Sequence, residues 1–395
     1  MSAEACRDGL PSREDVLAAV DAGLPEVLEL ARWMAAHPEL SLEEHETSRR
    51  YQSYLRGRGF AVQTGIADLP TAFVASHGPV EAPLVVALIA EMDSLPEIGH
   101  ACGHNLSGPA SLLAASALAT VIPPNALQVR LIGSPAEETG VGKRRLVEAG
   151  VFDGASAAMM AHASDMRRAH RLFLGNRKFD FTFLGRAAHA AAYPERGVNA
   201  LDALVALFVA VGLLRQQLPD GVRVHGVIRE GGTAPNVIPE RARAEFWIRA
   251  LEEPVLDDVV VRVRACAEGA AASVGAGLET LELECSSPPM RPCLALAEVY
   301  GDQLRFLGLE ETNHGPERCI GSSDITHVSR VVPTIHPNFP IGRDLQLHTR
   351  AFAAAAASPD GERGLTEAAR SLALTIHALA QDGVLRQRIR QGYQN

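Results

Sequence analysis

The sequence predicts an α/β fold: a mostly parallel central sheet flanked by helices, with an inserted α+β segment. Three observations predict it. Pro83 to Ala90 (PLVVALIA) is an unbroken apolar run, the pattern of a strand buried on both faces of a parallel sheet. Two further strand-like runs follow, Gln128 to Gly133 and Ala157 to Ala161, and a helical stripe of Leu106, Ala110, Leu113 and Ala117 lies between the first two. The texture then changes at Asn176 to Gly185 (NRKFDFTFLG), which alternates as a half-exposed antiparallel strand does.

In chain order, Arg13 to Gly59 is helical, with Val16, Val20, Leu24, Val27, Leu28, Ala31, Met34 and Ala35 at three-to-four spacing. His37, before a proline, marks a turn. Ser41-Leu42-Glu43-Glu44 reads as a capping box opening a second helix through Leu55, stopped by Gly57 and Gly59. Phe60 to Val62 and Ala72 to Ala75 are short strands, and Asn105 reads as the N-cap of the helix after the buried strand. Beyond the alternating strand come a helix from Asn199 to Leu218, strands at Val222 to Arg229 and Arg241 to Arg249, a helix reaching about Ala272, and a strand near Leu281 to Cys285. A helix from Leu294 to Leu307, a glycine-rich turn, the segment Ile335 to His348 and helices at Ala351 to Ala357 and Leu365 to Ala380 close the chain. The expected division is 1–174 and 290–395 as one domain, interrupted by 175–289.

A length of 395 residues fits two or three domains. The net charge is −10 and no basic block appears, which argues against nucleic acid and against an anionic membrane surface as partners. No run approaches the length of a membrane span and no signal peptide is visible, so a cytoplasmic protein is expected. Cys6, Cys102, Cys266, Cys285, Cys293 and Cys319 have no compact spacing and read as reduced thiols.

The chemistry concentrates at strand ends. The strand ending at Ala90 leads into Glu91-Met92-Asp93 and then His100-Ala101-Cys102-Gly103-His104-Asn105. In open α/β sheets the carboxyl ends of strands collect ligands. Thiolate and imidazole two residues apart suit one zinc-like cation or two adjacent ones, although a Cys-Gly-His alone is more often packing. Glu137 and Glu138 follow the second strand, and adjacent carboxylates there repel unless a cation or a function holds them. His162 follows the third.

Together, EMDSLPEIGHACGHN, SPAEETG, MMAHAS, GSSDITHVSRVVPTIHPNFPIG and LHT resemble the co-catalytic metallopeptidases of clan MH, in the aminoacylase and carboxypeptidase family. Within it they are most similar to the branch of hippurate hydrolase, auxin-conjugate amidohydrolases, aminobenzoyl-glutamate hydrolase and β-alanyl-lysine dipeptidase. The resemblance runs from His37 to Thr349 and implies a zinc-exopeptidase-like fold in which 175–289 is a lid that carries a homodimer contact. It implies that Cys102, His104, Glu138, His162 and His348 hold two divalent metal ions: zinc or manganese, with cobalt or nickel also compatible. Glu137 matches the general base, and Asp93 the carboxylate that orients a ligand histidine. His189 matches the histidine that reaches the scissile carbonyl, contributed in dimeric relatives by the partner protomer. Asn236 and Arg249 match lid positions that bind substrate, the guanidinium taking a free carboxylate, though such an Arg alone reads as a surface cation. His336 is a candidate pocket residue and His100 a neighbour of the ligands. Glu91 stands where the related His-x-Asp pattern has histidine, so its role is open. His45, His77, His170, His225, His314, His327 and His377 read as surface or structural.

The expected function is hydrolysis of the amide of a dipeptide or N-acyl amino acid, a small-molecule substrate, with release of a free amino acid. An aminobenzoyl-glutamate-like or other small amide is the alternative within that chemistry, and a silent binding protein of the same fold is the alternative outside it. A metal-trafficking role is disfavoured because the ligands are dispersed from Cys102 to His348.

Overall fold

In the computed structural model, residues 9–312 and 321–394 are described. Cys6, His314 and Cys319 lie outside the described residues. The chain divides into two units, one of residues up to Arg171, 291–312 and from His327 onward, the other of Leu172–Met290 with 321–326.

The first unit opens with α1 (Arg13–Ala36), whose N-terminus carries a capping box between Ser12 and Asp15. Then come α2 (His45–Arg56), β1 (Ala61–Thr64), β2 (Phe73–His77), β3 (Val85–Glu91), α3 (His104–Val121), β4 (Gln128–Ser134), α4 (Gly142–Glu148), β5 (Ala157–Met159) and β6 (His162–Ser164). The second unit holds β7 (Gly175–Leu184), α5 (Ala200–Leu214), β8 (Arg223–Glu230), β9 (Arg241–Ala250), α6 (Glu253–Val274) and β10 (Gly277–Glu282). After it follow α7 (Leu294–Phe306), α8 (Ile325–Val328), β11 (Thr334–Ile335), β12 (Asn338–Pro340), α9 (Arg350–Ala356), α10 (Pro359–Gln381) and α11 (Gly383–Gln394).

The large sheet has the order β1-β2-β4-β3-β5-β11. Its β4-β3-β5-β11 half is parallel, and β1 and β2 extend it antiparallel. All of β3 is buried, as its apolar run requires. A two-stranded parallel sheet pairs Asn338 to Pro340 with His162 to Ser164. The second unit is a four-stranded antiparallel sheet, β10-β7-β9-β8, with α5 and α6 on its apolar face.

Four local expectations are corrected. The Ser41–Glu44 capping box does not form: the Ser41 hydroxyl donates to Asp93 instead, and Glu44, the N-cap of α2, makes no cap bond. Asn105 lies inside α3, where its side-chain amide donates to the Ala356 carbonyl, and Gly103 caps the helix. β7 is mostly buried rather than half-exposed, with only Leu184 at its end exposed. Finally, α5 with the turn after it (Ala200–Gln217) is long and apolar enough to cross a membrane by composition. Ala200, Ala203, Leu204, Leu207 and Val211 pack into the unit's core, while Val205, Val209 and Leu213 are exposed, so the helix is apolar on two faces.

Candidate active site

Parallel pairing of β3 and β4 sets Glu91 opposite Ser134, so the loops carrying Asp93 and Glu137-Glu138 leave the sheet side by side. Between Cys102 and His104, Gly103 has φ +84, and a Cβ there would come within 2.6 Å of the Ala163 Cβ. Only glycine permits that turn to lie against β6. It brings the Cys102 Sγ to 3.5 Å from His162 Nε2.

Two overlapping sets result. Cys102, His104 and His162 each place a ligand atom within 4.8 Å of the others, and so do Cys102, His104, Glu137 and Glu138. His348 stands at the margin, half-exposed, with Nε2 3.6 Å from Glu138 Oε2. The imidazoles are oriented by the backbone. His104 Nδ1 lies 2.8 Å from the Asp93 carbonyl and 3.3 Å from its carboxylate. His162 Nδ1 lies 2.8 Å from the Ala163 carbonyl. A carbonyl can only accept, so Nδ1 carries the proton in each ring and Nε2 faces the cluster, the geometry a metal-binding histidine needs.

Glu91 Oε2, Asp93 Oδ1, His104 Nε2 and Glu138 Oε1 are buried without a hydrogen-bond partner. Leaving four such atoms in one site is costly. Burial pushes the Cys102 thiol and the Glu138 carboxyl up and holds His162 down at about 4, so this last ring is neutral at neutral pH. Burial opposes charge on His104 too, but Glu91, whose Oε2 is 3.2 Å from its Nε2, raises it well above the usual histidine range. Sulfur, imidazole and carboxylate donors around unsatisfied acceptors fit divalent zinc, cobalt, nickel or manganese.

Sequence reasoning missed the pair beneath this cluster. Lys143 and Glu91 are both fully buried, with Nζ to Oε1 at 2.6 Å. Burial works against an ionised Glu91, but Lys143 and then His104 more than offset it, and its carboxyl is held well below the usual range. Nothing near Lys143 in the sequence signals a partner 52 residues away. His336 is buried and stacks on His162 with ring centroids 5.2 Å apart. His100 is buried with neither ring nitrogen hydrogen-bonded, and burial lowers it to about 3. His37 caps α1 and stacks on Trp33, and His377 is buried against the Pro11 carbonyl.

The second unit places His189 and Asn236 on adjoining segments: His189 bridges Val237, and Ala190 N–H donates to the Asn236 carbonyl. Both residues are exposed. The amides of Ala191 and Ala192 approach His189 Nδ1 at 3.3 and 3.2 Å, which leaves its proton on Nε2, pointing outward as a donor. Arg249 is half-buried, reaches Ser322 Oγ at 3.4 Å, and keeps a buried Nε without a partner. Among the described residues no carboxylate pairs with it.

Residues 174–274 match the peptidase dimerisation domain of M20 proteins. The chain is 36% identical over 367 residues to the Xaa-Arg dipeptidase of Mus musculus, covering 88% of this chain and 84% of that protein. The chain belongs to the M20 peptidase family. It is 33% identical over 317 residues to one component of the p-aminobenzoyl-glutamate hydrolase of Escherichia coli (strain K12), covering 75% of this chain and 65% of that one. Its fold matches the Bacillus subtilis YXEP protein, described as a dinuclear metal binding peptidase from the M20 family. There the TM-score is 0.73 at 23% identity, covering 92% and 99% of the two chains. As an M20 protein it is a metal-dependent hydrolase of C–N bonds.

Proposed function

We propose that this M20 protein is a dipeptidase that takes two divalent metal ions and favours a dipeptide with a basic C-terminal residue. The observation that carries the reading is the meeting of Cys102, His104, His162 and Glu138 beside Glu137, with four buried atoms left unsatisfied. Similarity to a Xaa-Arg dipeptidase supports the substrate class.

Cys102, His104, Glu138, His162 and His348 would hold the ions. Bound divalent cations supply Lewis acidity to the scissile carbonyl and make water a stronger acid. Glu137 accepts a proton from the attacking water and returns it to the leaving amine. Asp93 fixes the His104 ring through its carbonyl and carboxylate. His189 offers Nε2–H to the developing oxyanion, Asn236 and His336 serve as substrate contacts, and Arg249 takes the substrate's free carboxylate. We assign 1–174 and 290–395 to the catalytic domain and 175–289 to a lid that pairs two copies. The exposed Val205, Val209 and Leu213 of α5, with Val227 and Ile228 of β8, fit such a contact. Cys102, Cys266, Cys285 and Cys293 are free thiols, in keeping with a reducing, cytoplasmic location.

Amine release from a panel of Xaa-Arg and Xaa-Lys dipeptides, N-acyl amino acids and aminobenzoyl-glutamate tests the reading. Dipeptides ending in a basic residue are expected to show the highest kcat/KM, and Glu137→Ala to lower turnover about a thousandfold or more. A preference for aminobenzoyl-glutamate would replace the substrate assignment. No turnover by metal-loaded protein on any member would sink it.

A further inference from the structure

We propose that Glu44 is a positioning residue that fixes the loop bearing Glu137 and Glu138. The inference rests on the amidohydrolase reading for what those two side chains do. Glu44 occupies the N-cap position of α2, where an acidic side chain ordinarily accepts from the helix's own amides, yet it makes no such bond. Its carboxylate turns inward and is fully buried. Oε1 accepts the main-chain N–H of Leu42 and of Ala136, both at 2.9 Å, and Oε2 accepts the Thr71 hydroxyl at 2.8 Å.

Ala136 explains that placement. Its φ is +57, a left-handed backbone that an alanine keeps only when its surroundings impose it. Both of its peptide groups are held: the N–H by Glu44, and the carbonyl by the Thr139 hydroxyl at 3.2 Å. Two residues on, the Glu138 N–H is received by Asp93 Oδ2 at 3.0 Å. Glu137 therefore sits between two amides, each clamped by a buried carboxylate from a distant part of the chain. Gly142 closes the loop, since a Cβ there would lie 1.8 Å from the Pro135 carbonyl oxygen. Burying Glu44 is costly, and burial together with the nearby Asp93 raises its pKa. A surface cap would serve α2 without that cost.

The test compares wild type with Glu44→Ala, Glu44→Gln and Thr71→Val, each titrated with zinc against a chromogenic chelator and assayed at saturating metal. Displacing a catalytic group by about 1 Å costs on the order of 100-fold, and losing a residue that orients a ligand costs roughly 10–100-fold in metal affinity. Glu44→Ala should therefore lose about 10–100-fold in kcat with KM changed less than about threefold, and about tenfold or more in zinc affinity. The amide of Glu44→Gln keeps one oxygen for both N–H donors and can donate to the Thr71 hydroxyl, so it should restore both quantities to within about threefold of wild type. Thr71→Val, which removes one of the three bonds, should fall between, and it serves if Glu44→Ala does not fold. A lowered melting temperature with kcat and zinc affinity unchanged in Glu44→Ala and Thr71→Val would overturn the proposal. So would Glu44→Gln falling as far as Glu44→Ala. If wild type binds zinc but cleaves no amide, the functional reading fails, while weakened zinc binding in Glu44→Ala still supports the clamp.

Discussion

The two units bury different things. The second unit fills its interior with Phe179, Phe181, Phe183, Phe246 and the aliphatic faces of α5 and α6, and of its described ionisable side chains only Lys178, near the burial margin, and Asp324, on the 321–326 segment, are buried. The other unit has a larger apolar core and also buries Glu44, Glu91, Asp93, His104, Lys143 and His162. Buried ionisable groups lower stability unless each is paired, and well-packed apolar residues would do the structural work better. The clustering of Glu91, Asp93, Cys102, His104, Lys143 and His162 thus marks where the chemistry is. In the second unit His189 and Asn236, assigned above to substrate, are exposed, so the interior of that unit carries packing and they lie on its surface.

Substitutions that reach one kind of interior or the other sharpen this contrast. The largest effect is expected from Lys143→Met, which leaves Glu91 without its buried cation and should cost about 3–5 kcal/mol in denaturant unfolding. Its zinc affinity should change as well. Phe246→Ala, in the apolar interior, should cost about as much, about 3–5 kcal/mol, yet leave zinc affinity as in wild type. If both variants weaken zinc binding equally, the units are not energetically distinct. Arg249→Ala should raise KM for dipeptides about tenfold or more, equivalent to about 1.4 kcal/mol, without lowering the melting temperature. A smaller effect is expected from pH. Burial lowers the pKa of His377 in the larger unit. The unfolded chain takes up a proton near the ordinary histidine value, about 6.5, while the folded unit resists it. Stability is therefore full above that pH and declines as pH falls below it, and His377→Gln should flatten the fall in thermal melts. Smallest of all, Arg177→Ala breaks the exposed pair with Glu282 on the second unit and should shift stability by less than about 1 kcal/mol.

Much of this was legible from residue types alone. The apolar run before Glu91 placed β3 because a strand buried on both faces leaves a continuous signature. Cys102, His104, Glu137, Glu138 and His162 could be singled out because thiol, imidazole and paired carboxylates at strand ends are chemically conspicuous. Local signals misled where a distant partner displaced a near one. Ser41 and Glu44 have the spacing of a capping box, but Asp93, Thr71 and Ala136 take their side chains. Asn105 resembles a cap, but Ala356, 251 residues on, takes its amide. The alternation in β7 suggested one wet face, but both faces are largely covered in the folded unit.

The sequence by itself determined the strand runs, the chemical groups at their ends and the family. These depend on composition and short-range periodicity, which a chain carries whether or not it is folded. Tertiary structure decided which atoms those groups present to one another. It alone set the Lys143–Glu91 pair across 52 residues, the Glu44 clamp on Ala136 across 92, and the ring nitrogen that His104 and His162 turn toward Cys102. Each of those is a directional bond between groups far apart in the chain, and hydrogen-bond direction is fixed only when the whole sheet has brought the partners within about 3 Å.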